Sequence, residues 1–280
     1  MTLLLQGRLP EAESLSREAL AMGKKFPGPY PEDVPAWLNN LATILRRQNR
    51  FAEAEPLQRE ALALNRKLLG NEHREVAASL NNLALTLASQ NKFDEAEAVL
   101  REAIAMGRKL FGNDYPLIAQ GLSSLTHVLR SEGKLPEAES VGREAVALQK
   151  KLLGEEHPDV ALAIGNLALV FERTGNLPQA ELLHREALAI RRKALGNEHQ
   201  AVALSLYNLG VLLSQRGDLV EAEIVLRECL DTTQKLPPID YVDLEHVYFE
   251  LVKVLAAEGK TDEAKAFIEE AKPFRKDLKK

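Results

Sequence analysis

The chain has 280 residues, of which 45% are hydrophobic, 28% charged and only 5% aromatic, with a net charge of -5. That acidic balance argues against bulk attraction to nucleic acid, which needs a basic footprint, and the scarcity of aromatics argues against a β-rich fold or an aromatic-lined cofactor pocket. One cysteine, Cys229, excludes an internal disulfide and favours a reducing, cytoplasmic setting.

No apolar run reaches the ~18–20 residues of a membrane span, and the start, MTLLLQGRLPEAE, lacks the basic region and cleavage site of a signal peptide. Insertion into a membrane is therefore not expected. The abundance of Ala, Leu, Glu, Arg and Lys favours helix.

Read in chain order, the sequence repeats every 42 residues. Alanine recurs at Ala12, Ala54, Ala96, Ala138, Ala180, Ala222 and Ala264, and leucine at Leu41, Leu83, Leu125, Leu167, Leu209 and Leu251. A fixed period of about 20–50 residues marks a repeat array, in which units stack in a row and present long surfaces. Leu3, Leu4 and Leu5 match the last turn of a first helix, and a second helix follows near 9–25. Complete repeats are expected at 35–76, 77–118, 119–160, 161–202 and 203–242, with 1–34 a partial unit. The unit at 243–280 closes the array, with helices near 243–258 and 261–277. Its polar end, Phe274 to Lys280, suits a cap; the N-terminal end has none, which predicts a longer parent chain or a packing partner there.

Within 77–118, Leu80, Leu83, Ala84 and Leu87 recur at helical spacing, and Phe93, Ala96, Leu100, Ala103 and Ile104 form a second stripe beyond the polar break Gln90-Asn91-Lys92. Each unit is thus a pair: helix A near 77–90, then helix B near 93–110. Asn49 and Asn91 share a position with Gly133, Gly175, Gly217 and Gly259, the residue types that best close a helix left-handed. Small residues on both helices, Ala54 to Ala222 on B and Ala42, Ala84, Ala168 and Gly210 on A, permit close approach. Glu13–Arg17 and its equivalents up to Glu223–Arg227 are i,i+4 pairs on B, read as a solvated face.

This pattern resembles the tetratricopeptide repeat, whose usual unit is about 34 residues. The longer unit, extended in tails such as ALNRKLLGNEHREV and ALQKKLLGEEHPDV, is similar to the repeats of kinesin light chains and of bacterial light-chain-like arrays. The resemblance implies an all-α, right-handed superhelical solenoid of antiparallel helix pairs over 1–280, with helix A on the inner face. No heptad run of the kind that joins a motor heavy chain is present.

Candidate functional residues follow from that face. On helix A the positions at i, i+3 and i+7 depart from the core pattern: Asn40 and Arg47; Asn82 and Ser89; His127 with the nearby Arg130; Asn166 and Arg173; Asn208 and Gln215. Helix propensity does not explain four asparagines at one register. A carboxamide carries both donor and acceptor, so a ladder of them suits the backbone of an extended peptide; the resemblance implies the same use. The other assignment is a bond to the neighbouring helix that sets repeat spacing. Arg46, Arg47, Arg130, Arg173 and Lys253, opposed by Glu172 and Glu250, point to a peptide with acidic residues.

His73, His157 and His199 recur at one register of the 42-residue unit. Repeats two helix widths wide keep them from sharing one ion, so loop capping is expected rather than a metal site. Cys229, at the register of Ala19 to Ala271, is expected in the core. The chain carries no G-x-G-x-x-G, P-loop, G-x-S-x-G or H-E-x-x-H motif. The reading is therefore a protein-interaction scaffold, with no enzyme activity, cofactor or metal, that binds a linear segment of a partner protein. Its alternative is a module that oligomerises with itself through its N-terminal end.

Overall fold

The computed structural model describes residues 9–25, 33–236 and 244–274. Thirteen α-helices and no strand occur among the described residues: α1 Leu9–Lys25, α2 Val34–Arg47, α3 Phe51–Leu69, α4 Arg74–Ser89, α5 Phe93–Phe111, α6 Pro116–Ser131, α7 Leu135–Leu153, α8 Pro158–Arg173, α9 Leu177–Leu195, α10 Gln200–Arg216, α11 Leu219–Lys235, α12 Leu244–Ala257 and α13 Thr261–Ala271. A 3-10 turn, Lys272–Phe274, follows. Even-numbered helices are the A members and odd-numbered helices the B members. The all-α architecture of packed helix pairs is the one the period implied. Leu3 to Leu5 and the N-terminal end lie outside the described residues.

The chain divides into two compact units, Met1–Leu148 and Gln149–Lys280, with the boundary inside α7. In the first, Leu38, Leu41, Ala42, Leu45, Ala54 and Ala61 form a core with Leu20 of the preceding helix B, and Trp37 packs on it. In the second, a core runs from Leu188 through Val202, Leu206, Leu209, Leu226 and Cys229 to Leu251 and Leu255. Cys229 occupies an alanine site there; its thiol donates to Ala203 O at 3.3 Å, and burial pushes its pKa up to about 12. It is packing, not a nucleophile.

Local chemistry sets the helix ends. Helices α3, α5, α7 and α9 each run 19 residues against 16 for α4, α6 and α8, because the long repeat adds its tail to B. Asn49 and Asn91 turn the chain left-handed at φ 58° and 59°. Helix α4 begins at Arg74, three residues before the expected 77, because His73 caps it: Glu75 N–H donates to His73 Nδ1 at 3.2 Å. His157 and His199 accept from Asp159 and Ala201 N–H in the same way, at 3.1 and 3.0 Å. Tyr115 holds that register before α6 and stacks on Phe111 instead.

The repeated alanines sit where helices touch. Ala54, Ala96, Ala138, Ala180 and Ala222 are all fully buried. At Gly210 the approach is closer still: a Cβ there would lie 2.7 Å from Leu226 Cγ. The expected Glu–Arg pairs within helix B all form, for example Arg17–Glu13 at 2.9 Å and Arg227–Glu223 at 2.7 Å. In five of them the arginine also links to the next repeat, as Arg59 does to Glu95, which the sequence reading as a solvated face did not anticipate.

Candidate functional site

Helix A of one repeat touches helix A of the next where α2 meets α4, α4 meets α6 and α10 meets α12. In the first unit, Asn40 is exposed on α2 and Asn82 half-buried on α4. Neither carboxamide bonds another described side chain or backbone group. Their chain neighbours behave differently. Asn39 Nδ2 donates to Ser79 Oγ at 3.2 Å, and Asn81 Nδ2 to Leu117 O at 3.3 Å, each on the following helix A. The spacing role weighed for the asparagines thus falls on Asn39 and Asn81, one residue earlier than the ladder.

Further along the same faces, Arg47 and Ser89 are exposed in the last turns of α2 and α4. The Ser89 hydroxyl donates to Leu85 O at 2.9 Å within its own helix. His127 and Arg130 sit together on α6, with Arg130 Nη2 donating to His127 Nδ1 at 3.1 Å. Burial, reinforced by the Arg130 charge, lowers the His127 pKa below its ordinary value, so the ring is neutral at pH 7 and keeps Nε2–H as a donor.

In the second unit, Asn166 on α8 and Asn208 on α10 are half-buried, while Arg173 and Gln215 are exposed at the ends of those helices. Asn208 and Arg173 have no polar partner among the described residues. The acidic residues expected to oppose the arginines are engaged elsewhere. Glu172 Oε1 meets the buried His184 Nε2 at 2.5 Å, turned toward helix B. Glu250 accepts from Lys253 at 3.0 Å. The cationic balance of the face therefore rests on the arginines, with Lys253 neutralised.

Two sets of residues escaped the sequence reading. One lies between helix B and the next helix A: Asn65 Nδ2 donates to Ser79 Oγ at 2.9 Å, and Arg191, at the same register, donates through Nη1 to Ser205 Oγ at 2.6 Å. The other joins successive B helices. Arg59–Glu95, Arg66–Glu102, Arg101–Glu137 and Arg108–Glu144 pair in the first unit, and Lys150–Glu186, Arg185–Glu221 and Arg192–Glu228 in the second, at 2.5–2.8 Å and always 36 residues apart. A search for opposite charges at one fixed offset would have found them.

Among the described residues no group of three or more His, Cys, Asp or Glu side chains could hold a metal ion. No helix among them is long and apolar enough to cross a membrane.

Stacked pairs of helices, with the polar side chains of helix A on one face and an ion-paired face on helix B, define a helical-repeat array that presents extended surfaces. Two tetratricopeptide repeat models match the sequence, one over residues 1–67, 33–109, 117–193 and 183–235, the other over 81–152. The chain belongs to the tetratricopeptide repeat family, whose members are in general scaffolds for protein–protein interaction.

No curated protein sequence matches the chain. Among solved structures, BtubC (BKLC) from P. vanneervenii is similar at 25% identity over 83% of this chain and 92% of that one, with a TM-score of 0.71. A putative kinesin light chain with nearly identical TPR-like repeats, from Podosopora anserina, is 25% identical over 71% of this chain and 94% of that one, with a TM-score of 0.58. A tetratricopeptide repeat protein from Parabacteroides merdae shares the fold at 16% identity over 99% of this chain and 91% of that one, with a TM-score of 0.64. The resemblance to light-chain-like arrays read from the 42-residue unit is thereby supported.

Proposed function

We propose that the chain is a non-enzymatic interaction scaffold whose helix-A faces receive an extended segment of a partner protein. Asn40 and Asn82 in the first unit, and Asn166 and Asn208 in the second, bond the backbone of such a segment, and Arg47, Arg130 and Arg173 favour acidic side chains. Ser89, His127 and Gln215 complete the same faces.

The observation that carries this reading is the division of labour between adjacent asparagines. Asn39 and Asn81 are bound into the packing, whereas the carboxamides of Asn40, Asn82 and Asn208 keep donor and acceptor open at one register. A helix position that needs neither propensity nor packing to be asparagine supports a role toward a ligand. The test is an array of acidic and neutral peptides probed with the wild-type chain and with the Asn40→Ala, Asn82→Ala, Asn166→Ala, Asn208→Ala variant. Peptides retained by the wild type and lost by the variant support the reading; an unchanged binding pattern sinks it.

A further inference from the structure

Each helix pair is covered by the next. At one register of helix A, Asn39 donates to Ser79 on the following helix A and Asn81 to Leu117 O, and Tyr207 packs against the core that contains Val247, Tyr248 and Leu251 of α12. Phe249 holds that register on α12, in the last described pair, and is 64% exposed. At one register of helix B, Gln58, Leu100, His184 and Leu226 are all buried, whereas Ile268 on α13 is 43% exposed. Gly210 meets Leu226, and the same two registers one pair later place the half-buried Val252 beside Ile268. Phe249 lies one turn before Val252. Terminal repeats that only cap an array turn a polar face outward; this face is apolar.

The charges bordering it are reversed. In every preceding helix B the i,i+4 pair is glutamate then arginine, from Glu13–Arg17 to Glu223–Arg227. Both reach toward the next pair: Arg227 meets Glu263, and Glu223 meets Lys260 at the head of α13. On α13 the order is Lys265 then Glu269. Both are exposed and bond only along their own helix end, Lys265 with Asp262 at 3.3 Å and Glu269 with Lys272. A further unit of the preceding kind would set a glutamate against Glu269 and a lysine against Lys265. Head-to-tail stacking of copies meets the same repulsion, because Glu11 holds the register of Glu53 and Glu263 in the first helix B.

We propose that the open faces of α12 and α13 form a self-association surface, which receives the same faces of a second copy about a two-fold axis. Antiparallel docking of α13 on α13, with the axis beside Phe267, sets Lys265 of each copy against Glu269 of the other. The charge reversal therefore suits one occupant, a second copy turned end for end. Phe249, Val252 and Ile268 form the apolar centre of the contact, and the Lys265–Glu269 pairs at its rim fix the direction of docking. Neither the asparagine ladder nor the N-terminal end takes part.

Two measurements test it, both on the full chain at low ionic strength, where charge pairing is least screened. The first is sedimentation equilibrium over a wide concentration series for the wild type and Phe249→Asp. The wild type should pass from monomer to dimer and stop there. Phe249→Asp should weaken the dimer by an order of magnitude or more while its melting temperature holds, since the side chain it replaces is exposed. A wild type that stays monomeric throughout, that grows into longer assemblies, or that associates equally well as Phe249→Asp overturns the proposal.

The second isolates the two-fold pairing. Lys265→Glu makes both rim positions acidic and Glu269→Lys makes both basic, so each variant alone repels its own copy and should dimerise several-fold more weakly than the wild type. An equimolar mixture of the two should recover the dimer, because each now meets its opposite, and the double variant Lys265→Glu, Glu269→Lys should recover it by itself. A mixture that associates no better than the separate variants overturns the antiparallel docking of α13 on α13.

Discussion

The Arg101 guanidinium on α5 donates to Glu137 on α7 at 2.6 Å, 36 residues along the chain, while its Nε holds Glu97 of its own helix at 2.7 Å. One arginine thus ties a turn of helix B to itself and to the next repeat. Lys134, in the loop before α7, closes the group by donating to Glu97 at 2.5 Å. The same arrangement recurs at Glu55 with Lys92 and Arg59, and at Glu223 with Lys260 and Arg227. An exposed ion pair contributes only about 0.2–1 kcal/mol, but the central carboxylates here are largely covered and each is held by two cations.

Acid should therefore loosen the array in a defined window. At Glu55, burial opposes ionisation and the hydrogen bonds from Lys92, Arg59 and Gln90 overcome it, holding the pKa at about 2. At Glu97 the Lys134 bond leads, against burial, with the same result of about 2. At Glu223 burial is again outweighed, by Lys260 and Arg227, to about 2. The folded-state values lie below the ordinary 4.5, so the stabilisation is fully present above about pH 4.5 and is lost as pH falls toward about 2. Melting temperature should fall through that window, and the Glu55→Gln, Glu97→Gln, Glu223→Gln variant should show a flatter acid limb. A wild type and variant with parallel acid limbs would contradict this.

Close helix approach should make two substitutions destabilising. Gly210→Ala places a Cβ 2.7 Å from Leu226 Cγ and Cδ2, and Ala180→Phe inserts a ring at a fully buried contact. Overpacking of this kind costs roughly 1–3 kcal/mol. Denaturant unfolding should show it, and Gly165→Ala, with one atom at 3.9 Å, is the control in which no such loss is expected.

The three histidine caps should each be replaceable by another acceptor. His73→Ala, His157→Ala or His199→Ala removes the bond to an orphan N–H at the start of α4, α8 or α10. A lost cap costs about 0.5–2 kcal/mol. Asparagine at the same position restores an acceptor, so melting should recover in His→Asn and not in His→Ala. Zinc should leave all three forms unchanged, since the histidines serve separate helices.

The helices were legible because each rests on short-range pattern: an apolar stripe, a left-handed Asn49 or Asn91, a proline at Pro116 or Pro158. Even Cys229 was readable, from its place in a column of alanines. What joins the repeats was not. Arg101 and Glu137 are surface residues whose pairing depends on the rotation between repeats, which the period does not reveal. Asn39 and Asn40 are adjacent and identical, yet about 100° of helix turn sends one into the crevice and leaves the other outside. Arg191 looked like one more basic residue in a polar tail, because its partners, Ser205 Oγ and Ala201 O, belong to the next helix A.

That contrast between adjacent asparagines supplies the sharpest test of the ligand face. Asn81 donates to Leu117 O at 3.3 Å on the following helix A; Asn82 makes no such bond. Asn81→Ala should therefore lower stability, by about 0.5–1.5 kcal/mol for the lost bond and more where Leu117 O is left without a donor. Asn82→Ala should leave the melting temperature within error or raise it slightly, since alanine is the better helix former. Binding should respond in the opposite sense. A peptide selected on the array loses a backbone bond with Asn82→Ala and weakens several-fold, the more so in the Asn40→Ala, Asn82→Ala pair, while Asn81→Ala at a temperature where it is fully folded binds as the wild type does. Calorimetric titration of both variants decides it. If Asn82→Ala lowers stability and spares binding, the two residues have been assigned to each other's roles, and the open carboxamides of helix A belong to the fold rather than to a partner.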